Sequence, residues 1–203
     1  MPLLHDIRTA RNVLRGILRS RRTRAQVARR EPGQERPAPG TIKIAVYFAD
    51  SKVNLYQIRQ WYAPLAEISQ TWPVAIISRS PSAVLELWNE SPVPALYLRR
   101  VTDLEEFVHT QDARIVFYVN QNAKNFQMFR YGRMWHVFIN HGESDKMYMT
   151  TNQFKAYDFS FVAGDAAIDR LSHKLWDFDL ATRAIAIGRP QADHFAGELP
   201  YTA

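Results

Sequence analysis

Residues 135–167 read WHVFINHGESDKMYMTTNQFKAYDFSFVAGDAA, and this stretch decides how the rest of the chain is understood. Residues 135–139 are apolar enough for a buried strand, which stops abruptly at the polar loop Asn140-His141-Gly142-Glu143-Ser144-Asp145-Lys146. A short helical piece follows, then a second strand over 158–163 that ends at Gly164. Short apolar runs joined through helices point to βαβ units and a parallel sheet. Open parallel sheets bind ligands at the carboxyl ends of their strands. The sequence therefore puts an imidazole, the side chain best suited to proton transfer near neutral pH, at a ligand-binding edge.

The same alternation extends outward in both directions. Residues 42–48, 74–77, 95–98, 114–119 and 183–187 read as further strands. Residues 54–69, 82–89, 102–109, 123–130 and 166–175 read as helices. Ser82 or Pro81 opens the second of these helices, and Thr102 with Glu105 forms a capping box on the third. The expectation is an α/β domain over 41–203, built on a Rossmann-like parallel sheet of about seven strands with right-handed crossovers. At 46% hydrophobic and 12% aromatic residues, the chain can bury the core this fold needs. It has no cysteine, which excludes disulfides and thiolate metal sites and suits a cytosolic setting without requiring one.

The run Asn140-His141-Gly142, then Lys146, Asn152, Lys155, Tyr157-Asp158 and Phe161-Val162-Ala163-Gly164, resembles the histidine-glycine motif of the CDP-glycerol glycerophosphotransferase family. The resemblance is dense from Asn140 to Arg170 and fades upstream to about Ile42 and downstream to Ile187-Gly188-Arg189-Pro190. Those enzymes make teichoic-acid-type poly(glycerol phosphate) of the cell wall and are similar to two-domain GT-B glycosyltransferases. The resemblance implies transfer of glycerol phosphate from CDP-glycerol to a polyol-phosphate or glycan acceptor. It makes His141 the base and gives Asn140, Gly142, Lys146, Asn152 and Gly164 phosphate or acceptor contacts. It implies no tightly bound cofactor, and a cytoplasmic protein peripheral to the inner face of the membrane. Residues 41–203 correspond to the amino-terminal, acceptor-side half of a GT-B enzyme. The donor half is expected in a longer chain or a separate subunit, and the residues given are expected to be inactive alone.

Two other readings of the domain stay open. One is a non-catalytic module that binds an acceptor or partner, and the other is a hydroxyl-modifying enzyme that completes its site across a homodimer. On their own residues, His136 reads as a structural strand histidine, Lys155 as a surface lysine and Asp165 as a helix N-cap. His136, His141 and Asp145 match no established metal-ligand spacing, so no metal is expected. The sequence has neither a Walker A loop nor GxGxxG.

Charge is concentrated at one end. Ten arginines against Asp6, Glu31 and Glu35 put +7 in the first 36 residues and leave −1 for the remainder. Within 1–30, Leu3, Leu4, Ile7, Ala10, Val13, Leu14, Ile17 and Leu18 form one helical face, with Arg8, Arg11, Arg15 and Arg19 in a stripe beside it. A basic amphipathic arm of this kind suits an anionic membrane surface. It equally suits a helix docked on the domain or on a partner, and a transit peptide has the same composition. Nothing later in the chain supports nucleic-acid binding. Residues 31–40, EPGQERPAPG, with three Pro and two Gly, read as a linker.

Overall fold

The computed structural model describes residues 2–142 and 151–193, with the helix backbone alone for residues 2–10 and Asn12. Among the described residues there are seven strands: β1 Ile44–Phe48, β2 Val74–Ser78, β3 Ala95–Tyr97, β4 Ile115–Tyr118, β5 Trp135–Phe138, β6 Phe159–Val162 and β7 Ala184–Ala186. They form one all-parallel sheet in the order β3-β2-β1-β4-β5-β6-β7. This is the Rossmann-like α/β architecture expected from the sequence.

The central strands are covered on both faces, so they read as unbroken apolar runs. In β1, Ala45 and Tyr47 face a layer holding Leu104, Phe107, Met128, Tyr157 and Leu171. Ile44, Val46 and Phe48 face the opposite layer, with Leu55, Ile58, Trp61, Leu65 and Leu87. His136 of β5 belongs to the first layer. It is buried, its Nδ1 accepts from the Tyr118 hydroxyl at 2.7 Å, and its Nε2–H donates to the Tyr131 carbonyl at 3.2 Å.

The helices depart from expectation in informative ways. Residues 54–69 do not form one helix. They form a 3-10 turn Lys52–Asn54, a single-turn α2 Tyr56–Arg59 and then α3 Tyr62–Thr71, after the amino-terminal helix α1 Pro2–Arg30. Pro64 explains the break: it has no N–H to give, and so it fits only in the first turn of a helix. Helix α4 Pro81–Glu90 starts at the proline, with the Ser80 hydroxyl accepting from Ala83 N–H. Helix α5 Val101–Thr110 is capped at Arg100 rather than Thr102, because the Asp103 carboxylate accepts the Arg100 N–H at 2.7 Å. Residues 123–130 form a 3-10 turn, Ala123–Gln127, in place of an α-helix. Helix α6 Asp165–Ser172 has Gly164 at the N-cap and Asp165 as its first residue, where the carboxylate still complements the helix dipole. A further helix, α7 Leu180–Arg183, is capped by Asp179.

Helix α1 is continuous for 29 residues and, among its described side chains, meets the domain toward its carboxyl end. Val27 is buried, Arg30 donates to Asn89 Oδ1 at 2.8 Å and its guanidinium lies 5.7 Å from the Trp88 ring centre on α4. The segment 31–40 runs along the domain, where Gly40 N–H donates to the Thr110 carbonyl at 2.8 Å.

Burial pushes the His136 imidazole below its ordinary value of 6.5, so the native state holds the ring neutral. Its contribution to stability is complete above the ordinary value and is lost as pH falls toward and through the lower native one. Urea midpoints measured from about pH 7 down to pH 5 are expected to fall in the unmodified protein. His136→Gln, which cannot take the proton, should flatten that part of the profile while lowering stability at neutral pH by about 1–3 kcal/mol.

Candidate functional site

At the end of β5 the backbone turns through Asn140 with φ of 59°, a left-handed conformation that asparagine tolerates better than most residues. The Asn140 side-chain oxygen folds back and accepts from His141 N–H at 2.7 Å and Gly142 N–H at 3.4 Å. Its carbonyl accepts from the Trp61 indole N–H. Gly142 follows with φ of 155°, a backbone state that favours glycine. The turn is thus closed from within and clamped from across the sheet.

These constraints aim the His141 ring. Its Nδ1 lies 2.9 Å from the Val119 carbonyl, which can only accept, so Nδ1 carries the proton. In the neutral ring Nε2 is then the lone-pair nitrogen, and it has no partner among the described residues. Tyr56 packs its ring edge-on against the imidazole, with centres 5.9 Å apart.

His141 lines a cleft of about 770 Å³ at the carboxyl edge of β5, β6 and β7, closed on its far side by the α2–α3 junction. Asn140, Gly142, Ala163, Gly188, Arg189 and Arg59 also line it. Arg59 is committed elsewhere: it binds Glu90 through Nε at 2.8 Å and Nη2 at 2.9 Å. Burial opposes ionisation of Glu90, but hydrogen bonds from Arg59 and Tyr62 outweigh it and hold the carboxyl below its usual range. Arg189 has no ion-pair partner among the described residues and is exposed at the cleft mouth.

Next to the cleft, between β1 and β4, the strand order reverses, and a carboxamide network fills this switch point. Asp50 Oδ2 accepts from Asn54 at 2.8 Å, Asn122 at 3.3 Å and Asn120 at 3.5 Å. Buried Asn120 also donates to buried Gln57 at 2.6 Å. The Tyr157 hydroxyl donates to the Asn120 carbonyl at 3.5 Å, and burial pushes this phenol up to about 12, so it stays a neutral donor.

Of the residues singled out in the sequence, Asn140, His141 and Gly142 stand together in the cleft, and Gly164 follows cleft-lining Ala163 by one residue. Asn152 is exposed on the 3-10 turn Asn152–Ala156, outside the cleft. Lys146 lies outside the described residues. Arg11, Arg15 and Arg19 are exposed along α1, while Arg8 is described only by its backbone. Among the described residues, no three His, Asp or Glu side chains converge to hold a metal ion. Trp61, Tyr56 and the Val119 carbonyl escaped the sequence reading. The only signal was the aromatic and amide density of YQIRQWY, which is poorly amphipathic for a surface helix.

No family model matches the chain, and no curated protein matches it significantly. Among solved structures, it is similar to a crystal structure from Listeria monocytogenes assigned as a UDP-N-acetylglucosamine 2-epimerase. The TM-score is 0.52 and the identity 14%. The likeness covers 76% of this chain and 46% of that one, so the chain spans under half the length of its structural neighbour. It shows a GT-B-like fold and, at this identity, no more than the fold.

Trp61→Phe tests the clamp on the turn. Losing the indole donor leaves a buried carbonyl unpaired, and the expected cost is about 1–3 kcal/mol by urea unfolding. The His141 Nδ1–H resonance should broaden or shift as its link to Val119 loosens. An unchanged ring signal would mean that the clamp does not position His141.

Proposed function

We propose that this chain carries the acceptor side of a glycerophosphotransferase that uses CDP-glycerol. The observation that carries the reading is the fixed tautomer of His141. Its Nδ1–H is tied to Val119, and the remaining nitrogen belongs to a residue lining an open cleft at the carboxyl edge of the sheet. A ring held this way is arranged to accept a proton at Nε2.

In the proposed reaction the acceptor hydroxyl oxygen bonds to the phosphorus of the glycerol phosphate group. Nε2 takes the hydroxyl proton, and the bond from that phosphorus to the bridging oxygen breaks. CMP leaves with the electron pair. Charge builds on the transferring group, and cations placed around it lower the barrier. Arg189 supports that role from the cleft mouth, and Lys146 is proposed for it by resemblance alone. Gly142 lets the acceptor approach the backbone closely.

The test has two arms. The chain alone is expected to bind short poly(glycerol phosphate), with shifts in the His141 ring signals, and to release no CMP from CDP-glycerol. With a donor-binding half present, His141→Ala should lower CMP release by roughly 10² to 10⁴. His141→Gln should be nearly as poor, because an amide accepts a hydrogen bond but not the proton. Acceptor binding with near-normal turnover in both variants would leave a binding module in place of a catalytic base. CMP release by residues 1–203 alone would put the donor site within this same sheet edge.

A further inference from the structure

An all-parallel sheet is normally covered on both faces, and this one is left open at one end of one face. In the layer that holds Leu55 and Trp61, the helical residues among those described come from α2, α3 and α4: Ile58, Leu65, Ala83 and Leu87. Beyond α3, strands β5, β6 and β7 turn Trp135, Phe159, Phe161, Ile185 and Ile187 to the same face. Trp135 is 57% exposed and Ile185 41%, while the other three are half-buried. The Trp135 and Phe159 ring centres lie 5.4 Å apart, which joins them into one ridge. Neighbouring strands are about 4.8 Å apart, so β5 to β7 spans about 10 Å, the width of one helix.

Helix α1 has the matching surplus. Ser20 and Thr23 are half-buried and Val27 is buried, a row that turns toward the domain. Roughly a third of a turn away, Val13, Leu14, Ile17 and Leu18 form an apolar stripe that stays exposed. Arg11, Arg15, Arg19 and Arg22 flank the stripe, all exposed.

We infer that α1 of one copy of this chain covers the open β5–β7 face of a second copy, and that the exchange is reciprocal. Within one chain the two surfaces lie far apart. Arg30 seats the helix on α4, which packs on β2 and β3, at the end of the sheet opposite β7. Charge selects helix on sheet over helix on helix. Between residues 7 and 30 there is no acidic side chain, so two α1 helices would set arginine beside arginine. The residues after 36 carry −1 against +7 for those before, so the arm of one copy is drawn to the body of another. Acids also stand beside the open face. Ala63 of α3 lines the cleft with Phe161 and Ile187, and Glu67 follows it by one turn. Asp193 follows the turn Pro190–Ala192, which meets α3. Glu67 and Asp193 are exposed, and neither has an ion-pair partner among the described residues. Because Phe161 and Ile187 belong to both the open face and the cleft, the second copy's helix would form part of the cleft wall. The inference stands apart from the glycerophosphotransferase reading and survives its failure.

The experiment is sedimentation equilibrium of the full chain and two variants over a range of concentrations. The intact chain should form a dimer that weakens, without vanishing, as salt screens the arginines. Leu14→Ser with Leu18→Ser spoils the helix face, and Trp135→Thr with Ile185→Thr spoils the sheet face. Each pair should weaken dimerisation by at least about a hundredfold, given what burial of two large apolar side chains contributes. All four positions are exposed, so circular dichroism should show the fold unaltered in both variants. The deciding measurement is a mixture of the two. Each variant keeps the face that the other lacks, so together they should form a one-to-one heterodimer that neither forms alone. A mixture that stays monomeric while the intact chain dimerises would assign the contact to like faces and overturn the inference. An intact chain that stays monomeric at every concentration would overturn it as well, and would leave both faces to other partners.

Discussion

An all-parallel sheet cannot turn back on itself at its carboxyl edge. Each strand must release the chain there and recover it at the far edge through a crossover. Seven strands obeying this rule gather their polar exits along one rim, and the candidate site sits on that rim. The rim is differentiated by the order in which the strands were laid down. Between β1 and β4 the crossovers diverge to opposite sides, and the gap is filled by the carboxylate of Asp50 and its circle of carboxamides. One strand further along, the β5 turn is sealed by its own asparagine and clamped by an indole from the other side of the cleft.

The central strands were legible because burial on both faces leaves few polar residues to blur them, and residues 44–48 could hardly be anything else. Helices were read less well, because their limits depend on single atoms. One absent N–H at Pro64 divides a predicted helix in two, and one carboxylate at Asp103 moves a cap by two residues. A polar turn at a strand end is ordinary, and the Asn-His-Gly turn stood out through the ordered run to Gly164 that carries the family resemblance. What makes the turn specific was not legible. Trp61 meets Asn140 across 79 positions of chain and His141 meets Val119 across 22. Neither pairing follows any local period, so only the closed sheet reveals them.

The two histidines near this rim show how strongly place governs chemistry. His136 and His141 are five residues apart on one strand and its exit loop, yet the first is locked at both ring nitrogens and the second at one. Burial with full hydrogen bonding makes His136 part of the core, with nothing left to offer a ligand.

A ring tethered through Nδ1 to a carbonyl has a further property. That carbonyl can never hand a proton back, so the imidazole has no relay through its rear, unlike a histidine backed by a carboxylate or a water chain. Any proton that Nε2 takes from the cleft can leave only by returning to the cleft. For the proposed base, the route through Nδ1 is thus closed, and its reset is tied to whatever next enters the cleft.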